Sequence, residues 1–379
     1  AGCVVHLLSV DVEKAYDRVC KNIVAAQLQE WGFDGPFINL ILNFLSNRCI
    51  QVRVNGFVSN TVPIDNILPQ GSPLSTSLFN TFLYALIPTL NDIDGLKTYA
   101  YADNILLITD SNDPATCLRR ALAAIDIWCH NTGATVPKQK AELIVFTRKR
   151  DWQRHPLSIG DLEIIPSTSQ KIFGLTFGRR MAWTEHCSNV AVKVHKLNNL
   201  LRAISAKNCG APIHATAHIA KTLILGYTGY GLPLFASTTQ ANLKKIQTAV
   251  NKVLRTAFGA LKSTPNRALW VEGGLMPIED RANKALFKIL ATNWLDPGRP
   301  HYQTLQDLDQ TNTRPRPTPV LKKALLQTAA LGLSLPRPSS ILSQIPDQQL
   351  RNTRSVTSRS QPVPTSRISG PNSPIRCVI

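Results

Sequence analysis

Residues 99–109 read YAYADNILLIT: an apolar strand, a tight turn offering Asp103 and Asn104, and a second apolar strand. By itself this is a hairpin whose turn happens to carry an acid. A second stretch changes its weight. In VVHLLSVDVEKAYD, the apolar run Val4 to Val10 ends at Asp11. Strand ends and hairpin tips of one sheet can meet in space whatever their separation along the chain. Two carboxylates meeting there would hold a pair of divalent cations ~3.5–4 Å apart, the arrangement used for in-line phosphoryl transfer. Mg²⁺ suits such a site, because it prefers a few carboxylates plus substrate phosphates to an all-protein cage. Taken singly, each Asp reads first as a turn or cap residue, and the case for a metal site rests on their combination with other motifs.

The surrounding chain alternates strand and helix signals. Asn22 to Trp31 and Pro36 to Asn47 have helical periodicity, with Gly35-Pro36 as a helix start. CIQVRV-NG-FVSNTV flanks Asn55-Gly56 with two alternating runs, the signature of a two-residue hairpin turn. Pro69-Gln70-Gly71 reads as a loop, Leu74 to Leu90 as one apolar helix, 114–130 as an amphipathic helix and Glu142 to Phe146 as a strand. This order predicts an α+β domain with helices on one face of an antiparallel sheet. From about residue 186 the pattern turns helical. In ANLKKIQTAVNKVLRTAF, Leu243, Ile246, Val250, Val253, Leu254 and Ala257 share one face, and Lys244, Lys245, Lys252 and Arg255 lie elsewhere.

The chain has 379 residues and a net charge of +18, from 42 Lys/Arg against 24 Asp/Glu. Such an excess points to polyanionic partners, nucleic acid first. Eight scattered cysteines form no CxxC pair, which fits reduced intracellular thiols. No apolar run approaches the ~18 residues of a membrane span. The chain opens inside a strand-like run without a methionine or a signal peptide, and so reads as a fragment of a longer polypeptide. The last 70 residues carry ten Lys/Arg against one Asp and 10 of the 25 prolines, a composition expected to stay disordered.

SVDVEKAYDRV, LPQGSPLSTSLFN and YADN, in that order, resemble the first three palm motifs of reverse transcriptases. Those of non-LTR (LINE-like) retrotransposons, of the I or Jockey type, are the nearest in pattern. GATVPKQKAELIVFTRKR is similar to the fourth motif and KIFGLTF to the fifth, the primer grip. The resemblance implies a right-hand polymerase palm over 1–150, a primer-grip hairpin region over 151–185, a helical thumb over 186–295 and a Pro-rich basic tail over 296–379. It also implies RNA-directed DNA synthesis, in which Asp11, Asp103 and the carbonyl of Val12 bind two Mg²⁺ (or Mn²⁺) ions. Tyr16 would then exclude a 2′-hydroxyl, Gln70 and Gly71 would lie against the incoming dNTP, and Lys140 would pass a proton to pyrophosphate. The implied partners are an RNA template, a DNA primer or target and dNTPs, with no membrane. The implied setting is a ribonucleoprotein moving between cytoplasm and nucleus.

The sequence departs from the family in places. Asn104 stands where a second acid is usual, so one negative charge is missing from the turn. PQGSPLST replaces PQGSVLSP, VPKQKA lacks the usual Asn-Pro, Phe173 replaces a Leu and Gly178 an Asp. Only ten residues precede Asp11, so the fingers of the family are expected to be missing and polymerisation by this piece inefficient. The alternative is a catalytically decayed remnant that keeps the fold and binds nucleic acid through its basic surface.

Overall fold

The computed structural model describes residues 4–64, 67–149, 156–159, 162–205 and 210–294. The expected basic tail lies outside them. The chain divides into two compact units, Ala1–Ile172 and one beginning at Phe173.

In the first unit the elements run β1 (Val5–Asp11), α1 (Lys21–Glu30), α2 (Gly35–Leu45), β2 (Arg48–Ile50), β3 (Arg53–Val54), β4 (Phe57–Val58) and β5 (Val62–Ile64). Then come α3 (Pro73–Tyr84), α4 (Leu86–Asn91), β6 (Leu96–Tyr101), β7 (Asn104–Thr109), α5 (Pro114–Thr132), β8 (Glu142–Phe146), β9 (Leu157–Ile159), β10 (Leu162–Ile164) and β11 (Ser169–Ile172). Strands β6-β7-β1-β8 form one sheet, antiparallel throughout. The expected α+β architecture is therefore present.

Side chains alternate across a strand, so register decides which residues share a face. Leu8 pairs with Leu107 on one side and Leu143 on the other, and Val10 pairs with Ile105. These residues are buried in one core with Val24, Phe79, Phe82, Leu118 and Ile125 from the helices. The opposite parity of β1 ends at Asp11, which is exposed. Local chemistry sets the helix ends. Asp34 caps α2 by accepting from the Phe37 amide at 3.2 Å, and Asp113 caps α5 by accepting from Thr116 at 3.0 Å. Gly133, at φ +73°, ends α5 in the left-handed conformation.

Two expectations need refinement. The single helix Leu74 to Leu90 is divided at Ala85 into α3 and α4. Pro88 explains the division, because its ring crowds the carbonyl four residues back, at Tyr84 where α3 ends. The Asn55-Gly56 hairpin forms, with φ of +48° and +87°. It splits into the two short ladders β2-β5 and β3-β4, whose registers differ by one residue. The extra residue makes a bulge, and the Ser59 hydroxyl accepts from the Val52 amide at 2.9 Å in place of a ladder carbonyl.

The second unit holds β12 (Leu175–Gly178), α6 (Thr184–Ile204), α7 (Ile213–Gly229), α8 (Leu232–Phe235), α9 (Gln240–Phe258), α10 (Asn266–Glu272) and α11 (Ile278–Trp294). The six apolar positions expected to share a face of α9 are all buried. They pack with Val194, Leu197 and Leu201 of α6 and Leu286 and Leu290 of α11. Polar side chains lock the helices together. Asn251 Oδ1 accepts from Gln247 Nε2 at 2.8 Å and from Trp270 Nε1 at 2.7 Å, and Gln247 Oε1 accepts from the Ile278 amide at 2.7 Å. This relay ties α9, α10 and the start of α11. The turn Phe173-Gly174 is held by Tyr230, whose hydroxyl donates to the Phe173 carbonyl.

Candidate active site

The β1–β7 ladder places the two acids. Asp11 pairs with Asn104 on its last rung, and the Val12 amide donates to the Asp103 carbonyl at 2.8 Å. Register alone thus brings Asp11 and the hairpin tip to one end of the sheet. Ala102, the first turn residue, has φ +49°, a conformation that costs a residue with a Cβ on the order of 1 kcal/mol. Partial burial lifts the Asp11 carboxyl above the ordinary range, the Asp103 charge lifts it further, and Lys140 pulls it back. Those influences put all three groups in one electrostatic neighbourhood. Asn104 Nδ2 donates to Asp103 Oδ1 at 3.2 Å.

Lys140 ends a 3₁₀ turn, Lys138–Lys140, that leads into β8. Its Nζ lies 3.5 Å from Glu13 Oε1, so its ion-pair partner is Glu13. Exposed pairs of this kind contribute ~0–1 kcal/mol, which leaves the lysine easily redirected.

Tyr16, Gln70 and Gly71 gather around a cavity of about 520 Å³, which Ser72, Pro73, Ser75 and Thr76 also line. That volume is within the range of small-ligand sites. After β1 the chain enters a 3₁₀ turn, Ala15–Arg18, through Lys14 at φ +50°. Tyr16 stacks on Phe79 of α3, with ring centres 5.4 Å apart and planes at 27°. Its carbonyl accepts from the Leu68 amide at 2.8 Å, which fastens the turn to the Pro69-Gln70-Gly71 loop. Gln70 Nε2 donates to Asp17 Oδ1 at 3.4 Å, and Ser75 Oγ donates to the Pro69 carbonyl at 2.6 Å. Gly71 has φ +93° with nothing within 4 Å of where a Cβ would stand. Backbone conformation, not crowding, is therefore what calls for glycine there.

Sequence reading gave no role to Glu13, Asp17, Phe79 or Ala102. Asp17 and Glu13 flank named residues in VEKAYD, yet their partners come from distant segments. Phe79 shows only as a core position of an apolar helix. Among the described residues no group of three or more His, Cys, Asp and Glu is placed to hold a metal ion. The donors at hand are two carboxylates, the Asn104 amide and the Val12 backbone. They suit a hard cation that keeps waters and substrate phosphates as its other ligands. Mutual repulsion at Asp11 is the setting that such a cation relieves.

Residues 2–177 match the family "Reverse transcriptase (RNA-dependent DNA polymerase)". The chain is 24% identical over 263 residues to the RNA-directed DNA polymerase from mobile element jockey of Drosophila melanogaster, covering 66% of this chain and 28% of that protein. Over 152 residues it is 29% identical to the Pol polyprotein from retrotransposable element R2 of Popillia japonica, covering 38% of this chain and 25% of that protein. The chain thus spans about 28% of the length of the jockey relative. Apo telomerase from Candida tropicalis superposes with a TM-score of 0.38 at 11% identity, over 80% of this chain and 52% of that one. On the family match and these relatives, residues 2–177 carry a reverse-transcriptase domain, homologous to those of LINE-like, non-LTR retrotransposons. Reverse transcriptases as a class use divalent metals.

Proposed function

We propose that the chain is the polymerase part of a non-LTR retrotransposon protein, extending a DNA primer with dNTPs on an RNA template. The observation that carries this is the β1–β7 register, which sets Asp11 beside Asp103 at the open end of the sheet. Asp11, Asp103 and the Val12 carbonyl would hold two Mg²⁺ ions, with Mn²⁺ able to replace them. Bound there, the ions supply a lowered pKa for the primer 3′-hydroxyl and charge neutralisation for the triphosphate.

The chain's own residues do the rest. Tyr16, braced by Phe79, lines the cavity and would there exclude a 2′-hydroxyl. Gln70 and Gly71 line the same cavity and would meet the incoming nucleotide. As the primer oxygen bonds to the α-phosphorus, the bond to pyrophosphate breaks. Lys140 is the candidate proton donor to that leaving group, released from Glu13. The basic helices of the second unit would hold nucleic-acid backbone without reading sequence. The ribonucleoprotein so formed would work in cytoplasm and nucleus.

Primer extension on an RNA template, by the complete polypeptide carrying this chain, tests the reading. Asp103→Ala should lower the rate on the order of 10³-fold, and dNTPs should be used in strong preference to NTPs. Extension untouched by Asp103→Ala, or equal use of NTPs, would sink it. The neutral Asn104 favours a second reading, a remnant that binds nucleic acid without chemistry. Absence of Mg²⁺-dependent dNTP binding in calorimetry would select that one.

A further inference from the structure

We propose that Asn104 is a positioning residue that lets the Asp11–Asp103 pair fold without a cation, while weakening the hold on any cation that binds. The inference rests on the reading of Asp11 and Asp103 as the cation-binding pair. Its basis is the geometry of the last rung. The hydrogen bond from the Val12 amide to the Asp103 carbonyl flanks the Asp11–Asn104 pair. In an antiparallel ladder that makes Asp11 and Asn104 a non-hydrogen-bonded pair, the kind whose side chains lie closest. Both belong to the same face, since directly paired residues share parity.

An acid at position 104 would therefore meet Asp11 directly across the rung and Asp103 next to it in the chain. Like charges facing each other across a rung destabilise a sheet. Asparagine has nearly the shape of aspartate but presents an amide, and here that amide donates to Asp103 Oδ1 at 3.2 Å. It thus replaces a repulsion by an attraction and fixes the rotamer of the carboxylate beside it. Ala102 is already strained at φ +49° in the same turn. A third negative charge would fall on the part of the hairpin least able to absorb it.

The same exchange lowers cation affinity, because one carboxylate is absent from the donor set. The residue therefore sets a balance: an apo site that is easier to fold, and a loaded site that binds less tightly. Asn104→Asp reverses both terms. Asn104→Ala removes the hydrogen bond without adding a charge, and so isolates it.

The experiment is thermal melting of the full chain in EDTA and in Mg²⁺, with Mg²⁺ affinity measured by calorimetry. In EDTA, Asn104→Asp should melt ~2–4 °C below wild type. In saturating Mg²⁺ the gap should close or reverse, with affinity raised on the order of 10-fold. Asn104→Ala should melt slightly below wild type in both conditions, with no recovery in Mg²⁺. Equal melting of Asn104→Asp and wild type in EDTA would overturn the proposal. So would a deficit that Mg²⁺ fails to restore, since Asn104 would then be only a structural hydrogen-bond donor. If the melts behave as expected but wild type extends no primer, the polymerase reading falls and the role of Asn104 stands.

Discussion

Among the described residues the first unit holds 13 Lys/Arg and 13 Asp/Glu, whereas the second holds 15 Lys/Arg and 4 Asp/Glu. One unit is electrically balanced and the other carries a net +11. Both the Lys138–Asp126 and Lys140–Glu13 ion pairs belong to the balanced unit. There, charge is placed locally: two acids at a sheet end, a lysine beside them and a polar loop around a cavity. In the second unit, charge is spread over helices whose inner faces are apolar. Its helix-to-helix ties mix neutral pairs such as Asn251–Trp270 and Asn198–Thr256 with single charged groups on neutral partners, such as Arg281 on Thr228 and Glu279 on Gln240. Local placement suits chemistry on one phosphate, and a spread surface suits a long polyanion.

The comparison can be broken most directly by moving charge. Lys244, Lys245 and Lys252 are exposed on α9, and Lys97, Arg119 and Arg120 are exposed in the first unit. Alanine at the three α9 positions should weaken nucleic-acid binding on the order of 10²–10³-fold. It should also lower the slope of log affinity against log salt by up to about 3. Alanine at the other three should change both far less. Equal losses, measured by fluorescence anisotropy across a salt series, would mean that the charge asymmetry has no bearing on binding.

A smaller effect sharpens the contrast in packing. A Cβ on Gly231 would lie 2.5 Å from Leu175 Cδ2, at φ +66°, whereas one on Gly71 would meet nothing. Gly231→Ala should cost the second unit ~1–3 kcal/mol in urea unfolding. Gly71→Ala should cost less in stability, its strain being confined to an exposed loop.

The smallest effect concerns pH. His186 is buried against Trp183 and Phe235, and its Nδ1 accepts from the Thr176 amide at 3.2 Å. Burial pulls its pKa below 6.5, and Lys193 lowers it further. An unfolded chain therefore takes up a proton near pH 6.5 that the folded chain refuses, so stability falls as pH drops below that value. Melting at pH 7.5 and 5.5 should show the loss, and His186→Phe should reduce it, leaving the share of His6, whose pKa burial also lowers. The raised thiol of Cys187, at about 11, adds no charge in that range.

Much of the first unit was legible because its signals are local and periodic. The alternation in ELIVF, the Asn55-Gly56 turn and the caps Asp34 and Asp113 each act within a few residues. Pro88 is a local signal for the break at Ala85, but the apolar run continues through it and hides the division. Asp11 and Asp103 could be paired in advance only by resemblance, since nothing local links a strand end to a turn so far along the chain. Asp17 against Gln70, Phe79 under Tyr16 and Glu13 on Lys140 left no signal, because each partner is chosen by where the backbone has already gone.

The sequence by itself determined the elements, the apolar faces, the charge balance of each part and the identity of the acids. Tertiary structure alone decided that Asp11 faces Asn104 and that the Asn104 amide turns to Asp103. The reason is one of range. Propensity, capping and alternation are set by neighbours in the chain, whereas register and side-chain pairing are set by strands that the chain must first bring together. A single rung of the ladder separates an amide that steadies a carboxylate from an acid that would repel two.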